Sequence, residues 1–158
     1  MSSVSIRRAQ ACDGKAIAFV VKESWLASNR HFLPEDSAAA ITHGDRLGEI
    51  VTLHWNSIWV AEVAGKIVGA VGTNDQGHMW MLYVLPTHQG LGIGSALYTT
   101  AIDNLRKRGT RKAVLEVLAA NESAVSFYRT RGWVPEGRRT EHIPGFRFTA
   151  VRMGLALS

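Results

Sequence analysis

The chain has 158 residues, 46% of them apolar and 20% charged, an ordinary globular balance for a single domain with a sizeable core. Its one cysteine, Cys12, excludes an intrachain disulfide; no apolar run approaches the roughly 18 residues of a membrane helix, and the opening MSSVSIRRAQACDG lacks a signal-type apolar stretch. The expectation is a cytoplasmic protein with no membrane partner. The formal net charge of +5 permits an anionic partner, but Arg106-Lys107-Arg108 and Arg138-Arg139 are too short as basic clusters to argue for nucleic acid.

In chain order, Val4 and Ile6 alternate in a short extended start, and Asp13 is placed to cap a helix with apolar positions Ile17, Val20, Val21 and Trp25. Cys12 reads as a small apolar residue. Pro34 opens a second helical stretch with Glu35 and Asp36 in its first turn. Ile41, Leu47, Ile50, Val51 and Leu53 are its apolar positions, and Gly44 and Gly48 interrupt it. From Ser57 the period changes to that of strands. Ile58–Val63 and Ile67–Val71 form a hairpin about Ala64-Gly65-Lys66, and Asn74-Asp75-Gln76-Gly77 turns the chain into a third strand, His78–Leu85, stopped by Pro86. A glycine-rich loop, Gln89–Gly94, leads into a helix through about Arg108 with Gly109 as its C-cap. Lys112–Leu118 is a strand, Asn121–Arg131 a short helix ended by Gly132, and the chain is extended from Trp133, with a final strand at Arg147–Leu155. This order predicts one domain, an α/β sandwich on a mixed sheet.

The loop is the chemically suggestive segment. Glycines at 90, 92 and 94 let backbone N–H groups approach an anion, and the helix N-terminus behind them adds about half a unit of positive charge. Together they can cradle a pyrophosphate, although a tight strand-to-helix turn would use the same residues. The P-loop pattern fails because Gly94-Ser95 carries no lysine, and the Rossmann pattern fails because G-x-G-x-G stands mid-chain after a meander.

Gln89-Gly90-Leu91-Gly92-Ile93-Gly94 follows Val84-Leu85-Pro86, and Asn121-Glu122-Ser123-Ala124-Val125-Ser126-Phe127-Tyr128 precedes Gly132-Trp133. In both motifs, and in the order of elements from Val4 to the C-terminus, the chain resembles the GNAT superfamily of acetyl-CoA-dependent N-acetyltransferases. The resemblance implies a mostly antiparallel mixed sheet with helices on both faces and splayed strands at the cofactor cleft. It also implies an enzyme that moves acetyl from acetyl-CoA to a primary amine. By motif position, Gln89, Gly90, Leu91, Gly92, Ile93, Gly94 and Ser95 would hold the CoA pyrophosphate, and Leu82, Tyr83 and Val84 would offer backbone groups to pantetheine.

Asn121 is a helix N-cap by residue type; the resemblance adds a hydrogen bond to pantetheine. Tyr128, two turns on along the same side, is a buried aromatic or, by resemblance, the acid that protonates the CoA thiolate. Phe127 reads as core. Two residues are candidates for the base that an attacking amine requires. Glu116 alternates with Leu115 and Val117 in its strand, five residues before Asn121, where the ribosomal-protein acetyltransferase branch places its base. His78 opens the strand that would hold the acetyl group. His31, His43, His54, His88 and His142 lack paired ligand spacing, so no metal is expected. The acceptor pocket would draw on Trp25, His31, Phe32, Trp55, Trp59, His142 and Phe146, with Trp59 assigned to the core. The expected acceptor is a small-molecule amine and the expected route direct transfer in a ternary complex. Protein N-termini or lysines, and a non-catalytic acyl-CoA-sensing module, are the alternatives. A homodimer is left open.

Overall fold

A computed structural model of the chain describes residues 3–32, 34–35, 46–143 and 146–157. Among the described residues four α-helices accompany seven strands: α1 (Gly14–Asn29), α2 (Arg46–His54), α3 (Ile93–Lys107) and α4 (Glu122–Arg129), with β1 (Val4–Arg8), β2 (Ile58–Val63), β3 (Lys66–Thr73), β4 (Met79–Val84), β5 (Lys112–Leu118), β6 (Val134–Ile143) and β7 (Phe146–Ala156). The strands form two antiparallel sheets, ordered β1-β2-β3-β4 and β5-β7-β6. They touch at a single parallel bridge between His78 and Val114. The expected mixed α/β fold, mostly antiparallel, is thus present as two sheets hinged at one point.

The core follows from β3, which is buried from Ile67 to Thr73 on both faces. A strand covered on both sides reads as a continuous apolar run instead of alternating. Gly69 turns toward α3: a β-carbon there would lie 2.9 Å from Leu97 Cδ1. Leu97, Ala101, Ile102 and Leu105 of α3 are buried against this face, and α1, which also packs on β3, buries Ile17, Val20 and Val21. Each such side chain contributes about 1.5–3 kcal/mol over leaving it in water.

Several local expectations need correction. Asp13 precedes α1 but makes no capping bond. Its carboxylate accepts from the Gln10 N–H at 2.7 Å and from Arg7 Nη1 at 2.8 Å, and Arg7 also reaches Glu62. The hydrogen bond from Arg7 holds the Asp13 carboxyl below its ordinary pKa. Cys12 is exposed instead of apolar packing. Of the apolar positions assigned to the second helix, Val51 is buried while Ile50 and Leu53 are exposed; Asp36, Ile41 and Gly44 lie outside the described residues. α3 ends as expected, with Gly109 at φ +80°, a conformation glycine adopts at little cost. Among the described residues no helix is long and apolar enough to cross a membrane.

Candidate active site

The site begins where the two sheets part. Asn74 closes a turn on His78: its Oδ1 accepts the His78 N–H at 3.0 Å and its own N–H donates to the His78 carbonyl at 3.0 Å. Gly77, at φ +83°, then presses so close to β5 that a β-carbon would sit 2.4 Å from the Lys112 carbonyl oxygen. The Val114 N–H donates to the Gly77 carbonyl at 2.9 Å, and among the described residues no further backbone bridge joins the two sheets. Two residues further on, β4 carries one more residue than β3: Thr73 pairs with Met79 and Gly72 with Met81, leaving Trp80 as a bulge. A bulge bends and twists its strand. Beyond it β4 has β3 on one side and a cleft on the other, so alternate N–H and C=O groups face the cleft without a strand partner.

At the far end of β4 the glycine loop closes the cleft. Gly90 and Gly92 have φ +77° and +81°, and a β-carbon on either would point into open space. Among the described residues, none of the N–H groups from Gln89 to Ser95 donates a hydrogen bond within the protein. Those of Ile93 to Ser95 form the first turn of α3, which by construction lacks helical acceptors. The loop therefore lines its cavity, of about 510 Å³, with unpaired donors and a helix N-terminus, a donor set that fits a pyrophosphate. The Gln89 side chain does something else: Nε2 donates to the Val84 carbonyl at 3.1 Å, pinning the loop to the end of β4 and occupying a backbone acceptor that the sequence reading left for pantetheine.

The loop cavity shares Ser28, Leu82, Asn121, Ala124 and Tyr128 with a second cavity of about 530 Å³ running down between β4 and β5. Leu82 and Tyr83 line the latter; burial pushes the Tyr83 hydroxyl up to about 12. Asn121 caps α4, its Oδ1 accepting from the Ala124 N–H at 3.2 Å, and its Nδ2 donates at 3.2 Å to Asn29 at the end of α1. Both ends of its amide are therefore engaged within the protein. Phe127 lines the loop cavity and carries the Arg131 guanidinium 3.5 Å above its ring, while Arg131 Nη2 donates to Ser95 Oγ at 3.0 Å.

Tyr128 stands where the two cavities meet. It packs edge-on against Phe127 and Trp133, and among the described residues its hydroxyl makes no hydrogen bond. The residue as a whole is half-buried, yet its phenol lies within the cleft wall. Loss of water there, followed by the neighbouring Tyr83 and Tyr98, raises its pKa above the usual tyrosine value. On the floor, His78 Nε2 and Glu116 Oε2 are 2.6 Å apart, with both side chains partly open to the cavity. Arg152, opposite Glu116 in the β5–β7 register, lies 3.8 Å from its other oxygen. Among the described residues no three His, Cys, Asp or Glu side chains gather as metal ligands. A larger groove of about 810 Å³ beside α4 is lined by Glu122, Val125 and Ser126 of the second motif but by none of the candidate site residues.

The acetyltransferase (GNAT) family model matches residues 18–133, which takes in the glycine loop and the cleft lining from Trp25 to Tyr128. The chain belongs to this family. Among curated proteins it is 29% identical over 121 residues to the mycothiol acetyltransferase of Saccharomonospora viridis, an alignment covering 77% of this chain and 35% of that one. The chain thus spans about a third of that relative's length. Its fold matches the PaiA N-acetyltransferase of Thermoplasma acidophilum, solved with coenzyme A, at TM-score 0.80 and 19% identity, covering 98% of this chain and 99% of that one. The ribosomal-protein-S18-alanine N-acetyltransferase of Escherichia coli matches at TM-score 0.72 and 23% identity, over 99% and 95%.

Within this GNAT fold the residues expected at the site, Leu82 to Val84, Gln89 to Ser95, Glu116, Asn121, Tyr128 and His78, are gathered on one cleft and its loop. The acceptor-pocket aromatics fare less well. Trp25 lines the cleft and His142 is exposed, while Trp59, assigned to the core, packs against it beneath Arg8. The side chains of His31 and Phe146 lie outside the described residues. Trp80 and Phe148, which the sequence reading passed over, line the cleft instead. Trp80 had one legible signal: it follows a turn within an apolar strand, where an extra residue is easily accommodated.

Proposed function

We propose that this chain transfers the acetyl group of acetyl-CoA directly to a primary amine of a small molecule. One observation carries the reading: a single cleft joins a donor-lined anion cradle to a floor holding a His–Glu pair, with an unpaired tyrosine hydroxyl between them. Acetyl-CoA supplies an activated acyl carbon and a thiolate leaving group.

The residues of the chain then divide the work. The N–H groups from Gln89 to Ser95 bind phosphate oxygens. Leu82 and Tyr83, on the open edge of β4, offer backbone groups to the pantetheine arm, and neighbouring N–H groups of that edge stabilise developing negative charge on the carbonyl oxygen. The His78–Glu116 pair takes the proton from the amine, and Tyr128 faces the sulfur. Asn121 acts first as the cap that fixes α4, and so as the support of Tyr128 seven residues on.

Cys12 makes no case as a covalent relay, since it lies on the turn before α1 and lines neither cavity. The small-molecule acceptor is supported by the names of relatives such as mycothiol acetyltransferase; a peptide N-terminus, as in the S18-alanine enzyme, is the rival. The test is release of CoA from acetyl-CoA across a panel of free amines and peptides, with acetylated product identified by mass spectrometry. Turnover of free amines supports the reading. Turnover of peptide N-termini alone moves the acceptor to protein, and acetyl-CoA binding without turnover of any amine replaces the enzyme by a sensing module.

A further inference from the structure

We infer that His78 is the base and that Glu116 is a positioning residue acting through it, an assignment resting on the acyl-transfer reading above. The argument starts from hydrogen-bond chemistry. An ionised carboxylate only accepts, so a contact of 2.6 Å between Glu116 Oε2 and His78 Nε2 puts the ring proton on Nε2. The lone pair of the neutral imidazole is then on Nδ1, which makes no hydrogen bond among the described residues. The ring is fixed from two sides, by Glu116 at Nε2 and by Asn74, which holds the His78 backbone. A ring oriented by a carboxylate with its second nitrogen free is the arrangement of a general base.

Glu116 is worse placed for the same task. One oxygen is engaged by His78, and the other faces Arg152 at 3.8 Å, so both are turned to protein partners. The charged and titratable groups around the ring come from every wall: Glu116 on β5, Arg152 on β7, Arg139 and Glu141 on β6, Tyr83 on β4 and Tyr128 on α4. From α1 come Trp25, Ser28 and Asn29, none of which titrates. The reaction balances through these residues. As the nitrogen–carbon bond forms and the carbon–sulfur bond breaks, the amine proton passes to His78 Nδ1 and sulfur gains its proton from the Tyr128 side. Solvent then restores Tyr128 and discharges His78.

The test compares His78→Gln, Glu116→Gln and the double variant in the full chain, reading kcat against pH with saturating acetyl-CoA and an amine from the active panel. His78→Gln should lose the acidic limb and lower kcat by about 10²–10⁴-fold. Glu116→Gln should keep a limb, because the base itself remains, with a smaller fall in kcat. The double variant should be no slower than His78→Gln alone, since the two residues act as one unit. A limb that survives in His78→Gln and vanishes in Glu116→Gln makes the carboxylate the base and overturns the assignment, as do additive losses. Nitrogen NMR of the wild-type His78 ring gives a readout independent of turnover. The expected tautomer near neutral pH carries its proton on Nε2, and a proton on Nδ1 overturns the proposal even if no amine is ever found. Failure of the whole amine panel beside the expected tautomer counts against the acyl-transfer reading alone.

Discussion

Replacing Tyr128 by phenylalanine removes one hydroxyl, and the structure says what that hydroxyl can contribute. It has no hydrogen-bond partner among the described residues, so its loss breaks no contact. It opens on the two cavities and carries no burial penalty of an unpaired group, so its removal should leave the melting temperature nearly unchanged. Complete proton transfer from a phenol (pKa about 10) to a thiolate (about 8.5) is already uphill by about 2 kcal/mol. Burial raises the Tyr128 pKa further, steepening that climb. At the barrier, before its proton has passed to sulfur, the hydroxyl therefore acts as a hydrogen-bond donor to a nascent anion, in about the 1.5–3 kcal/mol range of bonds to charged groups. That converts to a fall in kcat of about 10- to 150-fold. The assay follows CoA thiol release at saturating acetyl-CoA and amine, beside a thermal-shift titration with acetyl-CoA that should be nearly unchanged. Because the shift is upward, Tyr128 stays protonated between about pH 6 and 9, and the variant should keep the shape of the wild-type profile there. A kcat within twofold of wild type, where chemistry is rate-limiting, removes Tyr128 from the mechanism. A large loss of CoA affinity with a lower melting temperature makes it a packing residue instead.

The cradle can be tested without harming the fold. Gly92→Asp adds a carboxylate in open space at the left-handed N-cap of α3, at a backbone strain of about 1–2 kcal/mol that the fold should bear; two like charges about 4 Å apart cost about 4 kcal/mol, and acetyl-CoA affinity measured by calorimetry should fall at least about 10²-fold. Gly92→Ala, with only left-handed strain of about 1–2 kcal/mol, should bind far better than Gly92→Asp, and equal affinities would argue against phosphates at the loop. Gly77→Ala forces a β-carbon to 2.4 Å from the Lys112 carbonyl at the junction of the sheets, and should cost more than about 2 kcal/mol, or roughly 5–10 °C in melting temperature. A variant melting as the wild type would mean the junction yields freely. Asp13→Asn should destabilise at neutral pH, because a carboxyl with lowered pKa contributes fully above its unfolded value of 3.8 and loses that contribution as pH falls through the lower, folded value. Chemical denaturation at neutral pH and again well into acid should show the gap to wild type closing, and a gap independent of pH would exclude the Arg7 pair as its source.

Which parts of the site were legible in the sequence depends on the range over which each was specified. The glycine loop, α3, the Asn121 cap and Tyr128 depend on neighbours within two turns of helix, and the spacing of glycines, Asn and aromatics records such local needs. β5 ran over the expected residues because alternation and flanking turns define a strand locally. The reading failed where a residue's role is set by a distant partner. Asp13 looks like a helix cap by position, but Arg7, arriving from β1 beside Glu62, claims its carboxylate. The Gln89 side chain, five residues on, donates to the Val84 carbonyl and takes one of its two lone pairs, a contact the motif spacing does not announce.

The His78–Glu116 pair is the deepest case. Each residue alone is an unremarkable strand or turn residue, and the two are 38 positions apart. They meet because Gly77 alone permits the approach to Lys112 that brings β4 and β5 into register at one bridge. The Trp80 bulge then turns β4 away, and Gly72 makes room for it: a β-carbon there would lie 2.7 Å from the indole. Two glycines and one extra residue thus decide that the sheets touch at the floor and part above it. The cleft and the His78–Glu116 pair beneath it share that single structural cause, so a substitution that closes or loosens the junction should alter the pH–rate profile and acetyl-CoA binding together.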